Sequence, residues 1–230
     1  MSADQMEAEV VSQETQVTEL ESSQNTPEVL EGEQEMVTVF SDPVNFNVKH
    51  PLHSQWTMWY DNPGKKANQA SWSQNLKEVV TFDTVEDFWG IYNNVVRPSD
   101  LSAGSNYHLF KAGIKPMWED PSNAKGGKWV IQFPKKTGEH INTLWLYTML
   151  ECIGEGFQFE SEVCGGVVSI RKGFYRISLW TRVSDSKEIC ESIGQHLKNS
   201  LSLNPNQTIE FQSHADAAKS ASCNKDRFTV

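Results

Sequence analysis

The sequence predicts an α+β fold in which a curved, mostly antiparallel β-sheet carries three helices on its convex face and keeps an open concave face for a ligand. Short strands of alternating apolar and polar residues follow one another with hairpin-like connections, which is typical of antiparallel pairing. Three amphipathic helical segments each have one apolar side. One face of the sheet is enough to bury all three helices, so the other face stays open.

An acidic tail precedes the predicted domain. Residues 1–48 contain eleven Asp and Glu residues and no Lys or Arg, and the first aromatic residue is Phe40. A segment of this composition cannot bury enough apolar surface to offset its chain entropy. We therefore predict a disordered tail at 1–42 and one domain at 43–230. Subtracting the eleven acidic charges from the net charge of −10 leaves +1 for residues 49–230, which excludes nucleic-acid binding through a broad basic surface.

Alternation of apolar and polar residues with a period of two predicts the strands of the domain. They are Gln55–Asp61, Leu76–Phe82, Tyr107–Phe110, Lys128–Phe133, Val163–Arg171, Tyr175–Arg182 and Thr208–Gln212.

The first two helices have recognisable ends. The first begins after Thr84, where Asp87 three residues on gives a start similar to a capping box. It ends at Arg97-Pro98, because the residue before a proline disfavours the helical conformation. The second helix spans about Ile141 to Ile153 and is closed by Gly154.

The third helix lies between about Ser186 and Ser202. Its apolar residues recur at a spacing of four, which places them in one stripe with a polar face behind it. They are Ile189, Ile193, Leu197 and Leu201.

Several functional classes are disfavoured by the sequence. The chain has no run of about 18 apolar residues and no secretion-signal pattern, so we expect neither a membrane span nor secretion. Its cysteines form no C-x-x-C pair and have no His at zinc-ligand spacing, which predicts buried thiols in a reducing compartment and no metal site. They are Cys152, Cys164, Cys190 and Cys223.

Tryptophan residues beside charges point to a nucleotide site. Trp118 is followed directly by Glu119, and Trp72 lies in a polar stretch. Trp180 shares a predicted strand with Arg176. Flat indole faces stack on a purine ring, a carboxylate accepts N–H donors from a base edge, and guanidinium groups bind phosphate oxygens. This combination predicts nucleotide recognition.

Strand alternation indicates which face carries the arginines. Side chains two residues apart point to the same face, so Arg176 and Trp180 lie opposite the apolar residues of their strand. On the preceding strand Arg171 points the same way. Two arginines that face each other across strands repel unless an anion lies between them. We interpret the pair as an anion site on the open face; the alternative is two solvated arginines at the rim of the sheet.

A series of sequence blocks runs in order through the predicted domain. They are His50–Leu52, Trp56–Trp59, Phe82–Trp89, Pro116–Asp120, Gly126–Trp129, Ile153–Glu155, Cys164–Val168, Ile177–Thr181 and Ser213–Asp216. In this order the blocks resemble the eukaryotic initiation factor 4E family over residues 50–230. The resemblance implies a protein that is not an enzyme and has no cofactor. It implies that the chain binds the 7-methylguanosine 5′ cap of mRNA and recruits the mRNA to the translation initiation scaffold for ribosome loading.

The resemblance implies a cap contact for several residues of the open face. Trp72 and Trp118 would stack on the two sides of 7-methylguanine, whose positive charge favours electron-rich indole faces. Glu119 would accept the two N–H donors of the guanine edge, a pattern that adenine lacks. The remaining implied contacts are Trp180 at the methyl group and Arg171, Arg176 and Lys128 at the triphosphate.

Two helices present more apolar residues than a core requires. Val85 and Trp89 form a separate pair on the first helix, and Leu146 and Leu150 face solvent on the second. The alternative is that the tail covers these residues. The resemblance implies that this convex surface binds an amphipathic helix of the scaffold protein and of competing repressor proteins. The implied partner contacts are His50, Pro51, Leu52, Val85, Trp89, Leu146, Leu150 and Gly154.

The resemblance also implies a modification and a location. Ser222 is the nearest match to a Ser that is phosphorylated in animal relatives, although Gly173 replaces the Lys that opposes it there. The family implies a cytoplasmic protein, with the nucleus as a second location and no membrane partner.

Three other functions are alternatives. A repressor paralogue would bind the cap without engaging the scaffold, and Tyr147, where animal relatives have Glu, leaves this alternative open. A cap-hydrolysing enzyme would need an acidic metal cluster or a positioned His nucleophile, and the six histidines form no His-x-His-x-His run. A carrier of small apolar molecules would leave Glu119 and the two arginines unpaired.

Overall fold

The computed structural model describes residues 35–62, 75–219 and 228–230. Val37–Val230 forms one compact unit. Most of the predicted tail, Trp72 and Ser222 lie outside the described residues, so the predictions made for them stay predictions. Within these ranges no helix is both long enough and apolar enough to span a membrane.

Pairs of successive strands in the described chain are separated by helices. The strands are β1 (Pro51–Asp61), β2 (Lys77–Thr84), β3 (Asn106–Lys111), β4 (Gly127–Pro134), β5 (Val163–Ile170), β6 (Phe174–Thr181), β7 (Glu210–Ser213) and β8 (Phe228–Thr229). The helices are α1 (Val85–Asn94), α2 (His140–Ile153), α3 (Lys187–Ser200) and α4 (His214–Lys219), with 3-10 turns at Pro98–Asp100, Lys135–Thr137 and Glu160–Glu162.

All of these strands belong to one sheet. Their order is β2-β1-β3-β5-β6-β4-β7-β8, and each neighbouring pair is antiparallel. The sheet is curved and does not close into a barrel. The fold class predicted from the sequence is therefore confirmed. The two elements that the sequence did not predict, β8 and α4, have two and six residues, too few for a period to be visible.

The observed ends of the elements follow from local contacts. Thr84 Oγ1 accepts the backbone N–H of Asp87 at 3.2 Å, so α1 begins where the sequence predicted. The Arg171 N–H donates to the Phe174 carbonyl, which closes the β5–β6 turn and ends β5 one residue before the predicted end. Gly154 caps α2.

The core lies between the sheet and helices α1, α2 and α3. Trp56, Trp129 and Trp145 are fully buried there. In α3 the predicted apolar stripe is also confirmed, since Ile193 and Leu197 are buried and Ile189 packs at the edge.

Helix α3 lies unusually close to strand β4. The indole Nε1 of Trp129 donates a hydrogen bond to the Cys190 carbonyl at 2.9 Å. A Cβ atom on Gly194 would lie only 2.4 Å from the ring of Trp129. The helix can therefore rest on the indole face only because residue 194 has no side chain.

Candidate functional site

The sheet face opposite the helices, which we call the open face, is built from cross-strand neighbours. Val168, Ile170 and Ile177 are buried on the helix side, and the residues between them point to the open face. Three adjacent rows result, and they are Asn106–Ser169–Arg176, His108–Val167–Ser178 and Gly165–Trp180–Lys128.

A cavity of about 280 Å³ lies over these rows. Its walls include the predicted cap residues that the structure describes: Trp118, Glu119, Lys128, Arg171, Arg176 and Trp180. Trp72 lies outside the described residues. The cavity thus brings together six side chains that the sequence places on four separate segments, while the ligand role of each stays a prediction.

The loop that carries Trp118 and Glu119 is held by its own hydrogen bonds. The carboxylate of Asp120 accepts the backbone N–H groups of Lys115 and Ser122, both at 2.9 Å. The amide of Asn123 donates to the carbonyls of Lys115 and Met117, both at 2.8 Å. These bonds present Trp118 at the cavity with its ring 37% exposed.

Trp118 and Glu119 contact each other. The indole Nε1 of Trp118 donates to Glu119 Oε1 at 2.5 Å. An ionised carboxylate has about four acceptor positions, so Glu119 can accept further N–H donors from a ligand while it holds the indole. At this wall the site therefore combines an aromatic face with a charged acceptor.

The cavity also has a cationic wall, formed by Lys128, Arg171 and Arg176. Burial, together with the nearby charge of Arg176, lowers the pKa of Lys128 to about 8. Burial also lowers the pKa values of Arg171 and Arg176. At Arg171 the charge of Arg176 lowers the pKa further, while the charge of Asp61 acts in the opposite direction. In the described part of the chain no carboxylate lies within 4 Å of these three cationic groups. Cations that line one cavity without a direct ion-pair partner favour an anionic ligand.

Trp180 is fixed in place by two rings. Its indole meets the edge of Phe110 at a centroid distance of 5.5 Å and lies 4.2 Å from the ring of His214. Burial, followed by the charge of Lys128, lowers the pKa of His214 to about 3, so this imidazole is neutral at pH 7. A neutral ring can pack beside Trp180 without adding a further charge to the cationic wall.

The sequence did not identify His214, His108 or Asn106 as parts of this site. The last two could have been found, because alternation along β3 places Asn106, His108 and Phe110 on one face. His214 belongs to a block that carried the family resemblance, but its contact with Trp180 depends on β4 pairing with both β6 and β7.

The predicted partner surface lies on the helix side of the sheet. Val85 and Trp89 are each 37% exposed, while Leu146 and Leu150 are partly buried at the edge of the core. His50 joins the first pair, because its carbonyl accepts the Val85 N–H at 2.9 Å. A groove of about 700 Å³ lies beside His50, Val85 and Trp89 and is walled on its other side by residues 38–48. The groove does not include the other predicted partner contacts, which are Pro51, Leu52, Leu146, Leu150 and Gly154.

Metal-binding chemistry finds no support in the residues that the structure describes. Over the ranges 35–62, 75–219 and 228–230, no three His, Cys, Asp or Glu side chains are grouped so as to hold a metal ion. Cys152, Cys164 and Cys190 are buried free thiols. Burial raises the pKa values of Cys152 and Cys164 to about 12, so neither thiol is activated as a nucleophile.

Known proteins are similar to this chain in sequence and in fold. A family-level sequence model described as "Eukaryotic initiation factor 4E" matches residues 51–228. Eukaryotic translation initiation factor 4E of Aplysia californica is 47% identical over 186 residues, which cover 80% of this chain and 85% of that relative. The solved structure of Ascaris suum eIF4E-3 with an m2,2,7G cap is similar with a TM-score of 0.73 and 38% identity, covering 80% of this chain and 99% of that one. The C. elegans eIF4E-3 complex with the 4E-binding protein Mextli and a cap analog gives a TM-score of 0.72 and 36% identity, with coverages of 80% and 100%. The chain therefore belongs to the eukaryotic initiation factor 4E family, whose members are cap-binding factors of translation initiation and not enzymes.

Proposed function

We propose that the open-face cavity binds the 7-methylguanosine end of capped mRNA. The observation that carries this proposal is that Trp118 and Glu119 line the same cavity as Lys128, Arg171 and Arg176. An aromatic face and a carboxylate suit a positively charged base, and unpaired cations suit the phosphates that follow it. The solved relatives that contain an m2,2,7G cap or a cap analog support the same ligand class.

Each group has a defined role in this proposal. Trp118, together with Trp72, sandwiches the methylated base, and Glu119 accepts the N–H donors of its Watson–Crick edge. Trp180 packs against the methyl group. Methylation places a positive charge on the ring, and a desolvated cation–π contact contributes about 2 kcal/mol or more. The charge is thus the basis for preferring 7-methylguanine over guanine.

The test is a parallel titration with 7-methyl-GTP and GTP, followed by tryptophan fluorescence. We expect the methylated nucleotide to bind at least about thirtyfold more tightly, because 2 kcal/mol corresponds to that ratio. Trp118→Ala should remove the preference. Trp89→Ala is the matched control, because Trp89 is equally exposed but lies outside the cavity. Equal, weak binding of both nucleotides by the wild-type protein would contradict the proposal.

We also propose that the surface around Val85 and Trp89 binds an amphipathic helix of the initiation scaffold or of a repressor. Two large apolar side chains exposed side by side on α1 favour a partner with an apolar helix face. The solved complex of a relative with the 4E-binding protein Mextli supports a protein partner for this family. The cap would bind to the open face of the sheet and the scaffold to the helix side. If both bind at the same time, the protein recruits the bound mRNA to the scaffold.

The two tryptophans provide a reciprocal test of the two surfaces. Trp89→Ala should weaken binding of a scaffold fragment or of Mextli about tenfold or more, as expected for truncation of an aromatic anchor, and Trp118→Ala should not. Pull-down from purified components measures both. A wild-type protein that binds 7-methyl-GTP but no scaffold fragment would instead favour the repressor alternative.

A further inference from the structure

A buried polar network lies behind the cationic wall of the cavity. Asp61 at the end of β1 is fully buried, and Asn106 and His108 on β3 are 6% and 4% exposed. Asp61 and Asn106 are direct cross-strand partners. Burying a carboxylate is costly unless hydrogen bonds hold it, so each bond that it makes here is informative.

The bonds connect the carboxylate to the cavity, and every donor points away from the cavity, towards Asp61. The Nδ2 amide group of Asn106 donates to both oxygens of Asp61, at 3.1 and 2.9 Å. His108 Nε2 lies 2.5 Å from Asp61 Oδ1, and since an ionised carboxylate only accepts, this nitrogen is the donor. On its other side, Asn106 Oδ1 accepts from Arg171 Nη2 at 3.0 Å.

Asp61 thereby provides the two shorter of the three bonds that decide which way the amide of Asn106 points; the third goes from the same Nδ2 group to the Gly104 carbonyl at 3.4 Å. An amide side chain has a donating end and an accepting end, and its orientation follows from its partners. A carboxylate behind Asn106 can bond only the NH₂ end, so the carbonyl end must face Arg171. If the amide were reversed, its NH₂ group would meet the guanidinium donors, and that bond would be lost.

The guanidinium of Arg171 is consequently held on two sides. Besides the bond to Asn106, its Nη1 donates to the Ile170 carbonyl at 2.9 Å. These two bonds use two of the five N–H donors of the group and leave the rest for a ligand. Holding a long side chain before the ligand arrives removes part of the entropy cost of binding.

We propose that Asp61 is a positioning residue for phosphate binding, acting on Arg171 through the amide of Asn106. The inference rests on the cap-binding function proposed above and names the element that orients one of its phosphate contacts. Asp61 itself does not line the cavity.

Asp61→Asn should change the affinity for a triphosphate in opposite directions, depending on whether Asp61 positions Arg171 or acts only through its charge. Asp61→Asn removes a negative charge from behind the cationic wall, which by charge alone should strengthen binding of a triphosphate. Loss of the amide's fixed orientation should weaken it. We expect weakening, about tenfold for 7-methyl-GTP, as for a lost hydrogen bond in which one partner is charged.

The experiment compares 7-methyl-GTP with 7-methylguanosine, which has no phosphate. Asp61→Asn should weaken binding of the nucleotide and leave binding of the nucleoside within about twofold, because Arg171 contacts only phosphates. Arg171→Met should show the same pattern. Equal losses for both ligands would mean that Asp61 acts only on stability, and unchanged or tighter binding of 7-methyl-GTP would overturn the inference.

A double variant that exchanges the two side chains tests whether Asp61 acts on Arg171 through residue 106. In Asp61→Asn/Asn106→Asp the carboxylate and the amide exchange strands, so residue 106 accepts from Arg171 directly while residue 61 donates to it. We expect the double variant to bind 7-methyl-GTP within about threefold of the wild-type protein. The single variant Asn106→Asp differs, because it places two carboxylates side by side. If a folded double variant binds 7-methyl-GTP as weakly as Arg171→Met does, the proposed action of Asp61 through residue 106 is contradicted. Failure of the wild-type protein to prefer 7-methyl-GTP over GTP would instead refute the proposed function itself.

Discussion

A Glu119→Gln variant is expected to bind 7-methyl-GTP about a hundredfold or more weakly than the wild-type protein. Two hydrogen bonds to an ionised acceptor contribute about 1.5–3 kcal/mol each, and the amide can replace only one of them. Its NH₂ group would face a second donor of the guanine edge. The amide also lacks the negative charge that favours a positively charged base. The change keeps the size of the side chain and an acceptor for the Trp118 indole, so the loop should keep its shape.

Isothermal titration calorimetry with two ligands identifies the contact. 7-methyl-ITP lacks the exocyclic amino group of guanine, so the loss caused by Glu119→Gln should be smaller for this ligand. Glu139→Gln, an exposed carboxylate outside the cavity, is the control and should bind as the wild-type protein does. An equal loss for both ligands would show that Glu119 does not contact the amino group.

A Gly194→Ala variant is expected to lower the free energy of unfolding by about 2 kcal/mol. The added Cβ atom would lie 2.4 Å from two ring atoms of Trp129, and neither the indole nor the helix can move without disturbing the core. The Trp129 bond to the Cys190 carbonyl would be strained by the same shift. For a domain of this size the change corresponds to a fall in Tm of about 4–8 °C.

Gly90→Ala is the matched control, because Gly90 also lies inside a helix. A Cβ atom there would meet nothing within 4 Å. Alanine is the better helix former, so this variant should gain about 0.5–1 kcal/mol. Urea denaturation of both variants measures whether the free energy of unfolding falls for Gly194→Ala and rises for Gly90→Ala. Stabilisation by Gly194→Ala would mean that α3 does not rest on Trp129 as closely as described.

Much of the fold could be predicted because apolar and polar residues alternate with a period of two in the strands that form the site. In β5 and β6 it correctly separated Ile170 and Ile177, which are buried, from Arg171 and Arg176 at the cavity. The exposed pair on α1 followed in the same way from helical spacing, since Phe88 is buried and Val85 and Trp89 are not. These predictions needed only the direction in which a side chain leaves its own element.

The support behind the site could not be predicted, because it depends on which strands are neighbours. Asp61 read as the last residue of a strand, and nothing local indicates that it faces Asn106 across β1 and β3. His214 reaches Trp180 only because β4 lies between β6 and β7. Such contacts arise from sheet order, which a pattern within one segment does not contain.

The strand order also has a kinetic consequence. The β5–β6 hairpin, which pairs Ser169 with Arg176, joins residues close in sequence and can form early. The pairs Asn106–Ser169 and Lys128–Trp180 join distant parts of the chain, so long loops must close before these contacts stabilise anything. In refolding, the arginine-bearing hairpin should therefore appear before the cavity does. The ability to bind a ligand should therefore appear late in folding. A chain that stops folding early, or a truncated chain, would bind no nucleotide even if some of its strands are native-like.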